Sequence, residues 1–386
     1  MKNTNRLLLT LALSGLATAL GSCGSPTSSA PTASSPEASS SEVSSEPASS
    51  SKEADDEVSV FVMAGQSNMA GNTQWIGSNE DQKYLEAAMN ALAEDERYDV
   101  DPADYEKLVA GLPEVKTSFY GYPYGEPYDL HASVPRGDLS DDDYLVAALE
   151  GQFDPTRAGM GFKRKSEAKE RWMGPELGCA YALSKHATEE KPVYLVKCSF
   201  SGSGFHQNNA PTWDPDKGDH TYSLYTDKLK PFLLNNIDLV KEAHPGKKVV
   251  VKGFMWHQGE SDSGDNVDSY FDNMTKLINT FRSDFAEYGP EQSGDNIAFL
   301  DCTIYDGTSS KGREAWSRAH DQADVKRQIE ALSDMNFLIN GSTIDEDGLN
   351  FTIKGDGGDG SAHYCTKDSF RIGLEYAKII IDNELI

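Results

Sequence analysis

Five short apolar runs rich in β-branched residues punctuate the body of the chain: Val58–Met63, Val193–Cys198, Val249–Trp256, Ile297–Ile304 and Asn336–Ile339. Runs of this length with flanking turn residues predict buried strands. Between them, apolar residues recur at three- and four-residue steps over Leu224–His244 and Val267–Tyr288, the spacing of helices with one apolar face. Further helices are predicted over Pro175–His186, Trp316–Leu332 and Lys367–Asp382. Buried strands alternating with helices imply a parallel sheet covered on both faces. The expected fold is α/β, a flavodoxin-like three-layer α/β/α arrangement on a five-stranded parallel sheet. Ligands of such a fold gather at the carboxyl ends of the strands.

One segment breaks the alternation. Residues Asn72–Arg171 carry a plausible helix near Asp81–Glu96, and then Phe119, Tyr120, Tyr122, Tyr124 and Tyr128 in quick succession. A structureless loop of this length is foreign to a compact domain. The segment is expected to be an insertion with local structure that caps the active face. No internal repeat is present.

The amino terminus follows a different logic. Lys2 and Arg6 precede an apolar stretch, Leu7–Leu20, that is too short to span a bilayer as a mature helix. It ends Leu20-Gly21-Ser22-Cys23, which resembles a bacterial lipobox. The alternative is an ordinary secretory peptide that contains a cysteine. On the lipobox reading, residues 1–22 are a signal peptide, Cys23 is lipidated, and the protein sits on the outer face of the bacterial membrane. Residues 23–57 are rich in Ser, Pro, Ala and Glu and poor in large apolar side chains, so a disordered tether is expected. Residues 58–386 then form the folded domain.

A formal net charge of −27 excludes nucleic acid as a partner, because phosphate binding needs basic surface. The remaining cysteines, Cys179, Cys198, Cys302 and Cys365, have no zinc-site spacing. Their apolar surroundings favour buried thiols, although export leaves pairing open.

Three polar blocks follow strands or precede helices. Ser67, in Gly65-Gln66-Ser67-Asn68, comes directly after the first strand. A serine nucleophile needs a base within hydrogen-bond reach and donors for the developing oxyanion. Ordinary turn chemistry also places small polar residues there. Trp256-His257-Gln258-Gly259-Glu260-Ser261-Asp262 ends the third strand, where the alternative is a capping loop. Asp359-Gly360-Ser361-Ala362-His363 pairs a histidine with a carboxylate before the last helix. Taken singly, such a block is more often a surface loop.

Together the blocks resemble the SGNH-hydrolase superfamily, and within it the sialate O-acetylesterase and acetylxylan esterase group (carbohydrate esterase family six and relatives). The resemblance runs over Gly-Gln-Ser-Asn-Met at 65–69, Gly174-Pro175-Glu176, the Trp256–Asp262 block and the terminal Asp-His. It implies Ser67 as nucleophile and His363 as base. It also implies an oxyanion hole made by the amides of Ser67 and Gly202 with the side chain of Gln258. Gly202 lies where the group's usual Gly-Gly pair reads Ser201-Gly202.

The orienting acid departs from the pattern, in which Asp stands three residues before His. Position 360 is Gly, so Asp359 takes that role only with one inserted residue; Asp356 and Glu260 are the alternatives. The implied activity is removal of O-acetyl groups from carbohydrates through an acyl-enzyme, with no metal or organic cofactor. A non-catalytic carbohydrate-binding surface lipoprotein is the rival reading, and an esterase for cell-wall or lipid esters is another. The identity of the glycan is left open.

Overall fold

The computed structural model describes residues 57–77, 81–121, 150–161, 171–206 and 211–386. Cys23, the apolar leader and most of the tether therefore lie outside the described residues, as do Tyr122, Tyr124 and Tyr128 of the insertion. The chain divides into Met1–Ser49 and Ser50–Ile386, and every described residue belongs to the second unit.

Nine strands are described: β1 (Glu57–Gly65), β2 (Thr73–Gln74), β3 (Leu112–Tyr120), β4 (Asp154–Thr156), β5 (Trp172–Met173), β6 (Val193–Ser199), β7 (Lys248–His257), β8 (Ala298–Cys302) and β9 (Asn336–Ile339). The described helices are α1 (Ser67–Ala70), α2 (Tyr84–Ala93), α3 (Tyr105–Ala110), α4 (Pro175–Ser184), α5 (Lys230–Ala243), α6 (Tyr270–Asp284), α7 (Ala319–Glu330) and α8 (Thr366–Asp382). Seven strands form one sheet in the order β4-β3-β6-β1-β7-β8-β9. All neighbours are parallel except β3 and β4.

The expectation of five strands is corrected to seven. The five apolar runs became β1, β6, β7, β8 and β9, and the region read as a cap supplies the other two. Strand β3 adds parallel to β6, with Val115 opposite Val193 and Tyr120 opposite Cys198. Its sequence, Leu-Pro-Glu-Val-Lys-Thr-Ser-Phe-Tyr, dilutes the apolar signal with Pro113, Glu114 and Lys116, next to the three-residue edge strand β4. The described part of the insertion thus extends the sheet through β3 and β4.

Strand β1 shows why both faces are covered. Phe61 and Met63 enter one core with Leu177 of α4 and Phe370 of α8. Val58, Val60, Val62 and Ala64 enter the other with Phe232 of α5 and Phe281 of α6. There Phe254 stacks on Phe281 with ring centroids 4.4 Å apart. Such a pair adds about 0.5–1.5 kcal/mol beyond its buried area.

Helix α8, which follows the terminal Asp-His loop, is held hard against α4. A Cβ at Gly178 would lie 1.9 Å from Phe370 O, and one at Gly373 would lie 2.0 Å from Pro175 O. The crossing therefore requires both glycines, and it fixes where the loop ahead of α8 emerges. Cys179, Cys198, Cys302 and Cys365 are buried free thiols.

Candidate active site

Three chain segments meet at the carboxyl edge of the sheet. The first is the turn from β1 into α1. Gly65 has φ +145, and a Cβ there would lie 2.1 Å from His257 O, so β1 and β7 approach more closely than any side chain permits. Ser67 opens the single helical turn that follows, and its amide is one of those a helix start leaves unpaired. Gly71, in the left-handed region, closes the turn with its N–H on Ser67 O at 3.0 Å. Ser67 is buried down to 7% exposure.

The second segment carries Asp359 and His363. Asp359 Oδ2 lies 2.6 Å from His363 Nδ1, the distance of a short hydrogen bond. Asp359 Oδ1 accepts from the amides of Ser361 (2.8 Å), Ala362 (2.8 Å) and His363 (3.0 Å). Burial pushes the Asp359 carboxyl up, but the His363 ring and these amides outweigh it and hold the acid well below the usual carboxylate range. Gly360, at φ +65, absorbs the inserted residue. With an ionised carboxylate at Nδ1, the ring keeps its proton there and presents Nε2 as an acceptor.

The other two candidate acids sit elsewhere. Asp356 accepts Thr366 N on its backbone carbonyl, while its side chain lines a neighbouring cavity. Glu260 Oε1 accepts from Asn68 Nδ2 at 2.6 Å, and burial pushes this carboxyl up. Asn68 in turn donates to Ala362 O (3.3 Å) and accepts from Tyr364 N (3.3 Å). Glu260 thus steadies the histidine loop through Asn68, the residue next to Ser67.

The side chain that meets His363 Nε2 is one the motifs did not mark. Asn72 Nδ2 stands 3.2 Å from Nε2 and donates to Ser201 Oγ at 3.3 Å. Gly202 follows at φ +74 on the exposed loop after β6, a loop tied to β1 by the bond from Phe200 N to Gly65 O. Ser67 Oγ makes no hydrogen bond to His363 among the described residues; such contacts tighten when substrate binds. Asn72 was recognisable only as a polar residue just past the Gly71 cap.

Gln258, expected to offer its amide to an oxyanion, is wholly buried. Its Nε2 donates to Asp262 Oδ2 (2.6 Å), with Ser203 O (3.2 Å) and Oε1 of Gln66, the residue before Ser67, (3.4 Å) also in reach. The side-chain amide beside His363 Nε2 is that of Asn72. His257 next to Gln258 is fully buried, and burial lowers its pKa to about 3, so it stays neutral.

Among the described residues, no group of three or more His, Cys, Asp and Glu is arranged to hold a metal ion.

The family model described as "carbohydrate esterase, sialic acid-specific acetylesterase" matches residues 124–382, two thirds of the chain. The chain belongs to this family. The matched stretch includes Gly202, Gln258, Asp359 and His363, while Ser67 and Asn72 precede it. The protein is accordingly a carboxylic ester hydrolase, a carbohydrate acetylesterase.

The solved structure of NanS is similar, at 13% identity over 85% of this chain and 98% of that one, with a TM-score of 0.50. An Arabidopsis thaliana protein is 16% identical over 84% and 98% of the two chains, with a TM-score of 0.48. A carbohydrate acetylesterase from Xanthomonas citri is 14% identical over 83% and 55%, with a TM-score of 0.40. At such identity the likeness to NanS is one of fold. No curated protein sequence matches the chain.

Proposed function

We propose that this acetylesterase works through an acetyl-enzyme on Ser67. The observation that carries the reading is the Asp359–His363 pair at 2.6 Å, on a loop that Asn68 binds from both sides of His363, one residue from Ser67. His363 Nε2 takes the proton of Ser67 Oγ as that oxygen attacks the acetyl carbonyl. Asp359 holds the tautomer and stabilises the imidazolium that forms. The tetrahedral oxyanion is met by the Ser67 and Gly202 amides, with a side-chain amide as the third donor, Gln258 as the family resemblance implies or Asn72, which stands 3.2 Å from His363 Nε2. The imidazolium then protonates the departing sugar oxygen. A water activated at the same Nε2 releases acetate and restores Ser67.

The test is acetate release from acetylated carbohydrate and from a chromogenic acetate ester, for wild type and Ser67→Ala. A burst of alcohol product before the steady state supports the acyl-enzyme. A Ser67→Ala protein that keeps most of its rate removes Ser67 from the mechanism.

The lipid-anchored, extracellular location belongs to the same proposal, supported by Leu20-Gly21-Ser22-Cys23 at the end of an apolar stretch. Cys23→Ala is expected to move the protein from the membrane fraction into the medium. Fatty-acid labelling that leaves wild type unmarked rejects the anchor.

A further inference from the structure

A second serine, histidine and aspartate meet outside the Asp359–His363 pair. His206, on the loop after β6, has Nδ1 2.5 Å from Asp262 Oδ1 and Nε2 2.5 Å from Ser269 Oγ. The acid is anchored from behind. Asp262 is fully buried, both its oxygens lie 3.0 Å from the donor Phe205 N, and Oδ2 also accepts from Gln258 Nε2 at 2.6 Å. An acid fixed in this way orients the imidazole and holds its proton on Nδ1, so that Nε2 turns a lone pair to the serine hydroxyl. The hydroxyl has one other acceptor in reach among the described residues, Asn266 O, at the longer distance of 3.1 Å.

Ser269 itself is placed to react. It is exposed, and it directly precedes the fifteen-residue helix α6. A serine at that position ordinarily spends its oxygen on accepting from the first helical amides. Ser269 makes no such cap bond and faces His206 instead. Negative charge that develops on its oxygen lies at the positive end of the helix dipole. A base in hydrogen-bond contact, itself oriented by an acid, is what distinguishes a nucleophilic serine from an inert one. Because its oxygen lies on the surface, Ser269 suits small esters with a good leaving group, whose reaction does not depend on a binding cleft.

We infer that Ser269 is a second nucleophilic serine, which takes the acyl group of small activated esters independently of Ser67. Ser269 Oγ bonds to the ester carbonyl carbon as His206 Nε2 takes the hydroxyl proton. The bond from that carbon to the alcohol oxygen then breaks, the alcohol departs with the proton from Nε2, and Ser269 is left as an O-acyl ester.

Full-length Ser67→Ala is treated with a nitrophenyl acetate ester, and acetylated positions are followed over time by peptide mass spectrometry. Ser269 should be acetylated about a hundredfold faster than the other exposed serines, the scale of general-base assistance. With His206→Gln added, its rate should fall to that of the others, circular dichroism confirming that the fold is kept. Acetylation of Ser269 no faster than that of the other serines overturns the inference, whether or not the His206 variant folds. So does a rate at Ser269 that His206→Gln leaves unchanged. Turnover of acetylated sugar by Ser67→Ala tests the Ser67 reading alone, so the two can fail separately.

Discussion

Two polar centres lie at the carboxyl edge of the sheet, and each contains a histidine beside an acid. Around His363, the Asp359 carboxylate is ionised and accepts four hydrogen bonds, and the ring edge is open to a cavity. Around His257, both ring nitrogens and Glu260 Oε2 are buried with no hydrogen-bond partner among the described residues, and the nearest Glu260 oxygen is 3.9 Å from Nε2. The motif-dense block Trp256–Asp262 is thus largely buried, while the sparse glycine-rich loop opens onto a cavity. Desolvation makes the difference: a ring kept neutral by burial cannot take a proton, whereas one paired with an ionised acid can.

The largest test of that contrast exchanges the two histidines' fates. His363→Ala should lower kcat on the order of 10⁴-fold or more with the fold intact. His257→Leu should leave stability within about 1 kcal/mol of wild type, since the ring it replaces makes no hydrogen bond. Circular dichroism with steady-state kinetics decides, and comparable catalytic losses in both variants would erase the distinction.

Next is the acid. Asp359→Asn should lower turnover by roughly 10³- to 10⁴-fold. Because the folded-state pKa is depressed, the carboxylate contributes stability above its unfolded value near 4, and that contribution fades as the pH falls below it. The denaturation midpoints of wild type and variant should therefore differ at neutral pH and converge in acid. A gap that widens on acidification contradicts the assignment.

Third, the two amides should separate by readout. Asn72→Ala should cost about 10²- to 10³-fold in kcat with little change in stability. Gln258→Ala leaves Asp262 Oδ2 short of a donor in a buried site and should cost about 1–3 kcal/mol of stability. The opposite pattern would return the oxyanion role to Gln258.

The smallest effect is expected at Glu260. Burial already favours its protonated form, so Glu260→Gln keeps a group able to accept from Asn68 and should change kcat by no more than severalfold. A loss as large as that of Asp359→Asn would make Glu260 the orienting acid.

Much of this architecture is legible in local sequence. The apolar runs of β1, β6, β7 and β8 are buried on both faces and that of β9 partly so, and their composition announces them. Ser67 after a strand and His363 in a glycine-rich loop are visible for the same reason, since turns impose their own residue types. Asp359 was readable despite its offset because glycines flank it at positions 358 and 360. Strand β3 was not, because it mixes polar residues into its run and depends on β6 and the short β4 for its backbone partners.

The sequence by itself determined the alternation of strands and helices, the turn that carries Ser67 and the Asp-His loop, all of which rest on periodicity or turn geometry within a few residues. Only the tertiary structure decided which polar side chains face the reaction. Asn72 reaches His363 across 291 positions of sequence, and Gln258 is held by Asp262 and the Ser203 carbonyl, with Gln66 also in reach. Those choices depend on burial and on partners brought from distant segments, and a side chain's hydrogen-bonding capacity is spent on whichever neighbours packing supplies.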